Sequence, residues 1–449
     1  MKQDLKDLTK GSLGKQILLF SLPLMVSNVL QVLFNMADVA VVGQFAGPMA
    51  LGAVGSTTTL VTMFTGFLIG LSGGINVLVA LHYGAKSKKD LTETIHTSAL
   101  ISLMAGILLT LVGVSFARGI LEMLHTKPEL IDGAVLYLRI YFLGMPALAI
   151  YNFGNAVFSA VGDTKRPLRY LSLAGVINVV LNLFFVIVCG MDVAGVALAS
   201  IISQYLSAVL ILAALFRCRE MFALQPKLLR MNKEKCQDIL RIGLPSGMQN
   251  AIFQIANLFI QVGVNSFDAT LVAGNSAAAN ADALVYDVMA AFYTACGSFM
   301  GQNFGARKKG RVLKSYFISL AYSFGAGLIM GLGLVCCGEL FLALFTKEPA
   351  VIAAGMKRLT IMGCSYCVSA FMDATIAASR ALGKGVIPTI IVIMGSCLFR
   401  VIWVHTIFAH FKTIPSLYLL YIFSWSITAI AEMIYFAKVY KKQVLDGWF

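Results

Sequence analysis

Residues 83–90 read Tyr83-Gly84-Ala85-Lys86-Ser87-Lys88-Lys89-Asp90, and residues 304–311 read Phe304-Gly305-Ala306-Arg307-Lys308-Lys309-Gly310-Arg311. The Gly-Ala-basic core of the first stretch returns 221 positions later in the second. Working outward, the same shift keeps reappearing. Leu22-Pro23 returns as Leu244-Pro245, Thr126-Lys127 as Thr346-Lys347, and Gly162 with Pro167 as Gly383 with Pro388, all at separations of 220 to 222. A shift held over the whole chain means that one half is written twice. Doubled membrane bundles suit one task, because two similar lobes can rock against each other around a site between them.

Composition supplies the membrane. By length, 449 residues would make two or three soluble domains. Yet 59% of the residues are hydrophobic and 12% charged, against about 25% charged in soluble proteins, and the mean hydropathy is +0.83. Twelve apolar runs follow one another, at roughly 16–43, 51–82, 95–117, 134–160, 168–189, 193–216, 240–266, 275–301, 314–337, 359–380, 386–409 and 415–438. Each is near the ~20 residues a helix needs to cross a bilayer. Their continuity, without strict alternation, favours helices over a barrel.

The net charge of +14 is spread over short segments rather than gathered in a patch, which argues against nucleic acid. Its distribution is one-sided. Lys2, Lys6, Lys10 and Lys15, the 86–89 and 165–169 loops, the 217–241 segment, the 307–314 loop and Arg380, Lys384, Lys438, Lys441 and Lys442 share a face, whereas Arg118, Lys127, Lys347, Lys357, Arg358 and Lys412 fall opposite. The positive-inside rule then places both termini in the cytoplasm, with basic loops beside anionic lipid. The first fifteen residues are polar and the first apolar run outlasts a signal peptide's, so no cleaved leader is expected. The nine cysteines, including Cys364 and Cys367, read as packing residues of apolar spans.

The expected organisation is an N-terminal lobe at 1–216 (helices 1–6), a basic amphipathic cytoplasmic linker at 217–240, and a C-terminal lobe at 241–449 (helices 7–12). Six spans per lobe is an even number, so the repeats should be related by a pseudo-two-fold axis along the membrane normal.

Polar residues inside the spans mark the candidate site. Asn28, Gln31, Asn35 and Asp38 share one face of span 1; Asn250, Gln254, Asn257 and Gln261 share one face of span 7. Such stripes line a cavity or an interhelical network. The first ends in an acid and the second in an amide, so the cation site is expected in the first lobe. Asn178 and Asn182 in span 5, one turn apart, and Ser200 in span 6 complete a set suited to a titrating acid or a weak Na+ cage. The second lobe carries Asp282, Asp287, Asp373, Arg400 and Glu432, of which Asp373 and Arg400 are plausible partners. Pro23 and Pro245 permit a bend or a static kink. There is no P-loop, no His-Glu-x-x-His and no paired Cys/His cluster, so the chain is not expected to be an enzyme, and energy must come from an ion gradient.

Leu22-Pro23 followed by Asp38-Val39-Ala40-Val41-Val42-Gly43, the 83–90 loop, the 160–168 segment with Gly162-Asp163-Thr164-Lys165 and the 301–311 segment resemble multidrug and toxic compound extrusion (MATE) transporters over nearly the whole chain. Arg400-Val401-Ile402-Trp403 resembles the DinF-like bacterial branch more than the NorM branch. The resemblance implies an all-α integral membrane protein, a V-shaped two-lobe antiporter in the bacterial cytoplasmic membrane. It would expel amphipathic, often cationic small molecules against H+ or Na+. It maps the cation site onto Asp38, Asn178, Asn182 and Ser200, with Na+ at Asp38 the only metal in prospect. Asn182 stands where relatives have an acid, and Phe253 where NorM-type members have a glutamate. No cofactor beyond the coupling ion is implied. The partners implied are amphipathic substrates and membrane lipids, with no nucleic acid, and a monomer is the default. The substrate cavity would draw on the two amide stripes with Asp287, Asp373 and Arg400. A lipid-linked oligosaccharide flippase of the same superfamily, and a non-transporting membrane receptor or enzyme, are the alternatives.

Overall fold

The computed structural model describes residues 7–447, so Lys2 and Lys6 of the inner charges lie outside the described residues. The described chain is helical with no strand. Its helices are α1 Leu13–Val41, α2 Gly47–Gly84, α3 Lys88–Met123, α4 Pro128–Phe142, α5 Met145–Ala160, α6 Lys165–Leu183, α7 Val193–Arg217, α8 Lys233–Val264, α9 Ala269–Gly305, α10 Lys309–Leu342, α11 Pro349–Ala381, α12 Val386–Val392, α13 Phe399–Trp403, α14 Ala409–Phe411 and α15 Ile414–Tyr440. A π turn at Val42–Ala46 joins α1 to α2, and α12–α14 form one pass interrupted by two π turns. With α4 and α5 also one bent pass, twelve passes result. Most are long and apolar enough individually to cross a membrane; α8 is the polar exception because it carries the amide stripe.

The helices overrun the apolar runs. The second expected span covers 51–82, whereas α2 has 38 residues. The seventh starts not at 240 but at Lys233, because Asn232 caps it: its side-chain oxygen accepts from the backbone N–H of Glu234 (3.0 Å) and Lys235 (3.1 Å). The fourth span starts at Pro128 and is broken at Leu143-Gly144, with a 46° bend between α4 and α5. Pro146, at the first turn of α5, has no N–H to continue the preceding helix.

The stretch that announces the duplication is a helix stop. Lys86 and Arg307 both lie in the left-handed region at φ 55°. The N–H of Ser87 reaches back to the carbonyl of His82 (3.2 Å) and that of Lys86 to Tyr83 (3.1 Å). Lys308 to Asn303 (2.9 Å) and Arg307 to Phe304 (3.0 Å) repeat the pattern. These paired bonds satisfy the carbonyls orphaned at a helix end. Gly162 (φ 93°) and Gly383 (φ 78°) close α5 and α11 in the same way.

The chain divides into two compact units, Val26–Ala251 and Asp7–Met25 with the chain from Ile252 onward. The division cuts inside α1, just past Pro23, and inside α8, past Pro245. Residues 217–240 pack with the first unit, whose core includes Phe158, Phe222, Leu224 and Ile239. The start of α1 packs with the second unit, where Leu13, Ile17 and Phe20 surround Phe299.

Each unit has a clamp at the helix stop. In the first, Asp90 accepts from Lys235 Nζ (2.7 Å) and Glu93 from Asn232 Nδ2 (3.0 Å), holding the start of α8. In the second, Arg311 donates to the carbonyls of Leu8 (3.1 Å), Lys10 (3.2 Å) and Gly11 (2.8 Å), and Lys308 to that of Thr9 (2.6 Å), holding the lead into α1. Asp90 and Arg311 are repeat equivalents with opposite charge.

Candidate functional site

In the first unit, α1, α6 and α7 bring four expected residues together. Asn182 donates through Nδ2 to Oδ1 of Asp38 and also to Oδ1 of Asn178 (3.3 Å). Ser200 Oγ donates to Oδ2 of Asp38 (3.3 Å). Asn178 and Asn182 face the same way because four residues make about one helical turn. Asn182 is fully buried, and Asn178 and Ser200 are nearly so. The Asn182 carbonyl oxygen Oδ1 has no hydrogen-bond partner among the described residues. The approach of α1 to α6 depends on Gly175, where an added Cβ would collide with the Phe34 ring.

The site therefore holds one carboxylate, two donors aimed at it and one open amide oxygen. Such an arrangement can exchange a proton or hold a weakly bound monovalent cation. Tyr137 and Tyr141 of α4 stack one turn apart with centroids 5.8 Å apart and lie within the field of Asp38. Sequence reasoning missed both; their spacing of four was the available signal.

The remaining amides are scattered. Gln31 and Asn35 are exposed on α1, and Asn28 is half-buried. Asn250 Nδ2 donates to the carbonyl of Gly66 (2.9 Å), tying α8 to α2 within the first unit. Gln254 is half-buried, Asn257 exposed, and Gln261 Nε2 donates to Asn265 Oδ1 (2.8 Å). Pro23 lies inside α1, which runs through it as a single helix.

The second unit holds charges differently. Asp373 and Arg400 do not pair directly as expected. Arg400 donates to Ser424 Oγ (3.3 Å) and Asn257 Oδ1 (3.4 Å), and its guanidinium lies over Tyr421 (4.6 Å) and Phe253 (5.3 Å). Its hydrogen bonds go to neutral oxygens and its face to aromatic rings. Phe253, standing where NorM-type chains have an acid, is thus a platform for a cation. Asp373 keeps one oxygen without a hydrogen bond and feels Arg380 and Arg400 only through space. Asp287 is half-buried on α9.

Arg358, counted with the outer loop charges, is instead buried on α11. It donates to Asp282 and Asn275 and lies over the Tyr418 ring (5.1 Å), while the Tyr366 hydroxyl donates to Asp282. Its neighbour Lys357 is exposed; one residue is about 100° of helix rotation, enough to separate solvent from core. Among the described residues no group of three or more His, Cys, Asp or Glu is arranged to hold a metal.

The MatE family model matches residues 23–184 and 245–405, once in each repeat. The probable multidrug resistance protein YpnP of Bacillus subtilis (strain 168) is 31% identical over 363 residues, covering 80% of each chain. DNA damage-inducible protein F of Escherichia coli (strain K12) is 23% identical over 332 residues, covering 73% of this chain and 72% of that one. A crystal structure of MATE in complex with MaL6 superimposes with a TM-score of 0.91 at 22% identity, over 98% of this chain and 99% of that one.

Proposed function

The chain belongs to the MatE family of multi-pass membrane transporters, and from that premise we propose that it exports amphipathic, cationic small molecules by antiport with a cation taken up at Asp38. The relatives named for multidrug resistance support the export of drugs and toxins. The observation that carries the coupling role is the Asp38 cluster, a single acid held by Asn182 and Ser200 in the interior of a helical lobe. An intramembrane acid is costly unless it works.

A proton is the coupling ion we favour. Both Asp38 oxygens already accept hydrogen bonds, and Asn182 supplies an amide where a second carboxylate would strengthen a Na+ cage. Proton uptake removes the charge that orients Asn182 and Ser200, and α1 is then free to bend at Pro23. Substrate would meet the exposed amides Gln31, Asn35, Asn257 and Gln261. Gln254, Asp287 and the monomeric state belong to the same reading, as does residence in a bacterial cytoplasmic membrane with both termini inside. The flippase alternative loses support because Arg400, its best candidate for a pyrophosphate, is already engaged by rings, the Ser424 hydroxyl and the Asn257 amide.

Dye export from proteoliposomes under a pH gradient alone and a Na+ gradient alone tests this. Export driven by the pH gradient, and abolished in Asp38→Asn, is expected. Export driven by Na+ without a pH gradient would overturn the proton, and undiminished export by Asp38→Asn would overturn the site.

A further inference from the structure

The second unit contains a buried carboxylate that the antiport scheme does not use. Glu432 lies on α15 and is fully buried. Neither of its oxygens accepts a hydrogen bond among the described residues. It ends a stripe of buried polar residues, Ser424, Thr428 and Glu432, spaced by one turn along α15. The facing helix α11 carries its own stripe of Ser369, Asp373 and Arg380. Thr428 shares a hydrogen bond with Ser396 of the pass containing α12 (2.9 Å), and Arg400 meets Ser424 at the far end.

The charged groups around this stripe make it more than packing. The interior of α9, α11, α13 and α15 carries the acids Asp282, Asp287, Asp373 and Glu432 and the bases Arg358, Arg380 and Arg400. Asp282 is taken by Arg358. Asp287 is half-buried, and Asp373 and Glu432 are matched in number by Arg380 and Arg400, yet no donor reaches either oxygen of Glu432 among the described residues. A fully buried carboxylate that no donor reaches is strongly unfavourable as an anion, and a proton removes that charge.

The groups facing Glu432 define which cation fits. From α11 come Arg380 and Asp373, the two charges that act on it. The pass containing α12 brings Thr389 (3.5 Å from Arg380 Nη2), Ser396 and Cys397, with no charge before Arg400. Tyr286 of α9 couples to Asp373, Arg380 and Arg400, and on α15 itself the flanking ionisable groups are Tyr421, Tyr435 and Lys438. An arginine whose charge acts on the acid disfavours Na+ there, whereas a proton needs only one oxygen. Arg380 stands in the last turn of α11, beside the Gly383-Lys384 stop, the inner end in the proposed orientation.

We propose that Glu432 is a second proton-carrying group, which takes a proton at the Arg380 end of the second lobe and exchanges it with Asp373. In each exchange one carboxyl O–H bond breaks as the other forms, so a single proton is shared and no other reactant is required. The relay rests on the antiport reading for its purpose, but not for its existence.

Full-length protein in lipid nanodiscs, titrated with pH while infrared difference spectra are recorded, tests it. Wild type should show a carboxyl C=O band that is lost in Glu432→Gln and shifted in Glu432→Asp. That measurement needs no substrate, so it stands even if the export assay fails. A band unchanged by Glu432→Gln, or a Glu432→Asp spectrum identical to wild type, would overturn the proposal. In proteoliposomes, pH-driven dye export should fall in Glu432→Gln and recover in part in Glu432→Asp. A lost band with fully retained export would overturn the relay.

Discussion

The two repeats share their turns and differ in their interiors. Helix stops at Lys86 and Arg307, and at Gly162 and Gly383, have the same bonds and the same backbone sign. Inside, the first repeat gathers one acid with neutral donors at Asp38, whereas the second distributes Asp282, Asp373, Glu432, Arg358, Arg380 and Arg400 over four passes. Duplication has therefore kept what ends helices and released what fills them. Turn chemistry depends on one local backbone conformation, so it tolerates little change. Interior polar groups need only find partners, and partners can be exchanged. The clamps make the point: Asp90 and Arg311 occupy equivalent positions, one taking a lysine side chain and the other donating to backbone carbonyls.

If the asymmetry is functional, moving the acid should not move the function. Asp38→Asn is expected to reduce gradient-driven dye export to the rate of protein-free vesicles. Adding Gln261→Asp should not restore it, because Gln261 faces Asn265 rather than an Asn182–Ser200 pair. Restored export in the double variant would show the repeats to be interchangeable.

The second repeat's charges should matter more to stability than the first's. Arg358→Leu leaves the half-buried Asp282 beside Tyr366 without its guanidinium. Breaking one side of a buried pair costs about 3–5 kcal/mol, and a large drop in the thermal midpoint in detergent is expected. Arg358→Leu combined with Asp282→Leu should recover much of it. A single variant as stable as wild type would mean that Arg358 is solvated.

Gly175→Ala sharpens the comparison from the other side. Its new methyl meets the Phe34 ring, and overpacking of this kind costs about 1–3 kcal/mol. It should also part Asp38 from Asn182, so export should fall further than stability alone explains. Gly175→Ala with Phe34→Leu should regain both; export unaffected in the single variant would show that α1 and α6 need not touch there.

The fold was legible because apolar runs and a constant shift are properties of the chain alone. Asp38, Asn178, Asn182 and Ser200 were legible for a related reason: steps of three and four put polar groups on shared faces, and the family resemblance named the faces that meet. What was not legible depended on contacts between distant segments. Arg358 sits beside exposed Lys357 near a loop, and only the position of α9 reveals that it is buried. Asp373 and Arg400 were obvious as charges, but Phe253, Tyr421 and Ser424, which take Arg400 instead, come from two other passes. The break at Leu143-Gly144 was readable from Pro146. Its counterpart in α11 has Cys367 in place of the proline, and that helix runs unbroken.

The smallest effect tests the shared frame itself. Lys86 and Arg307 hold left-handed backbone without being glycine, a conformation that costs an L-residue about 1–2 kcal/mol. Glycine removes that strain but adds about 0.5–1 kcal/mol of unfolded-state entropy to be overcome. Lys86→Gly and Arg307→Gly should each therefore raise stability by up to about 1.5 kcal/mol, read as a small rise in thermal midpoint. The informative quantity is the agreement between them. Equal shifts mean that the two stops are the same device energetically as well as geometrically. If Arg307→Gly lowers the midpoint while Lys86→Gly raises it, the arginine side chain contributes more than the backbone strain removes, and the duplication has diverged even in its turns.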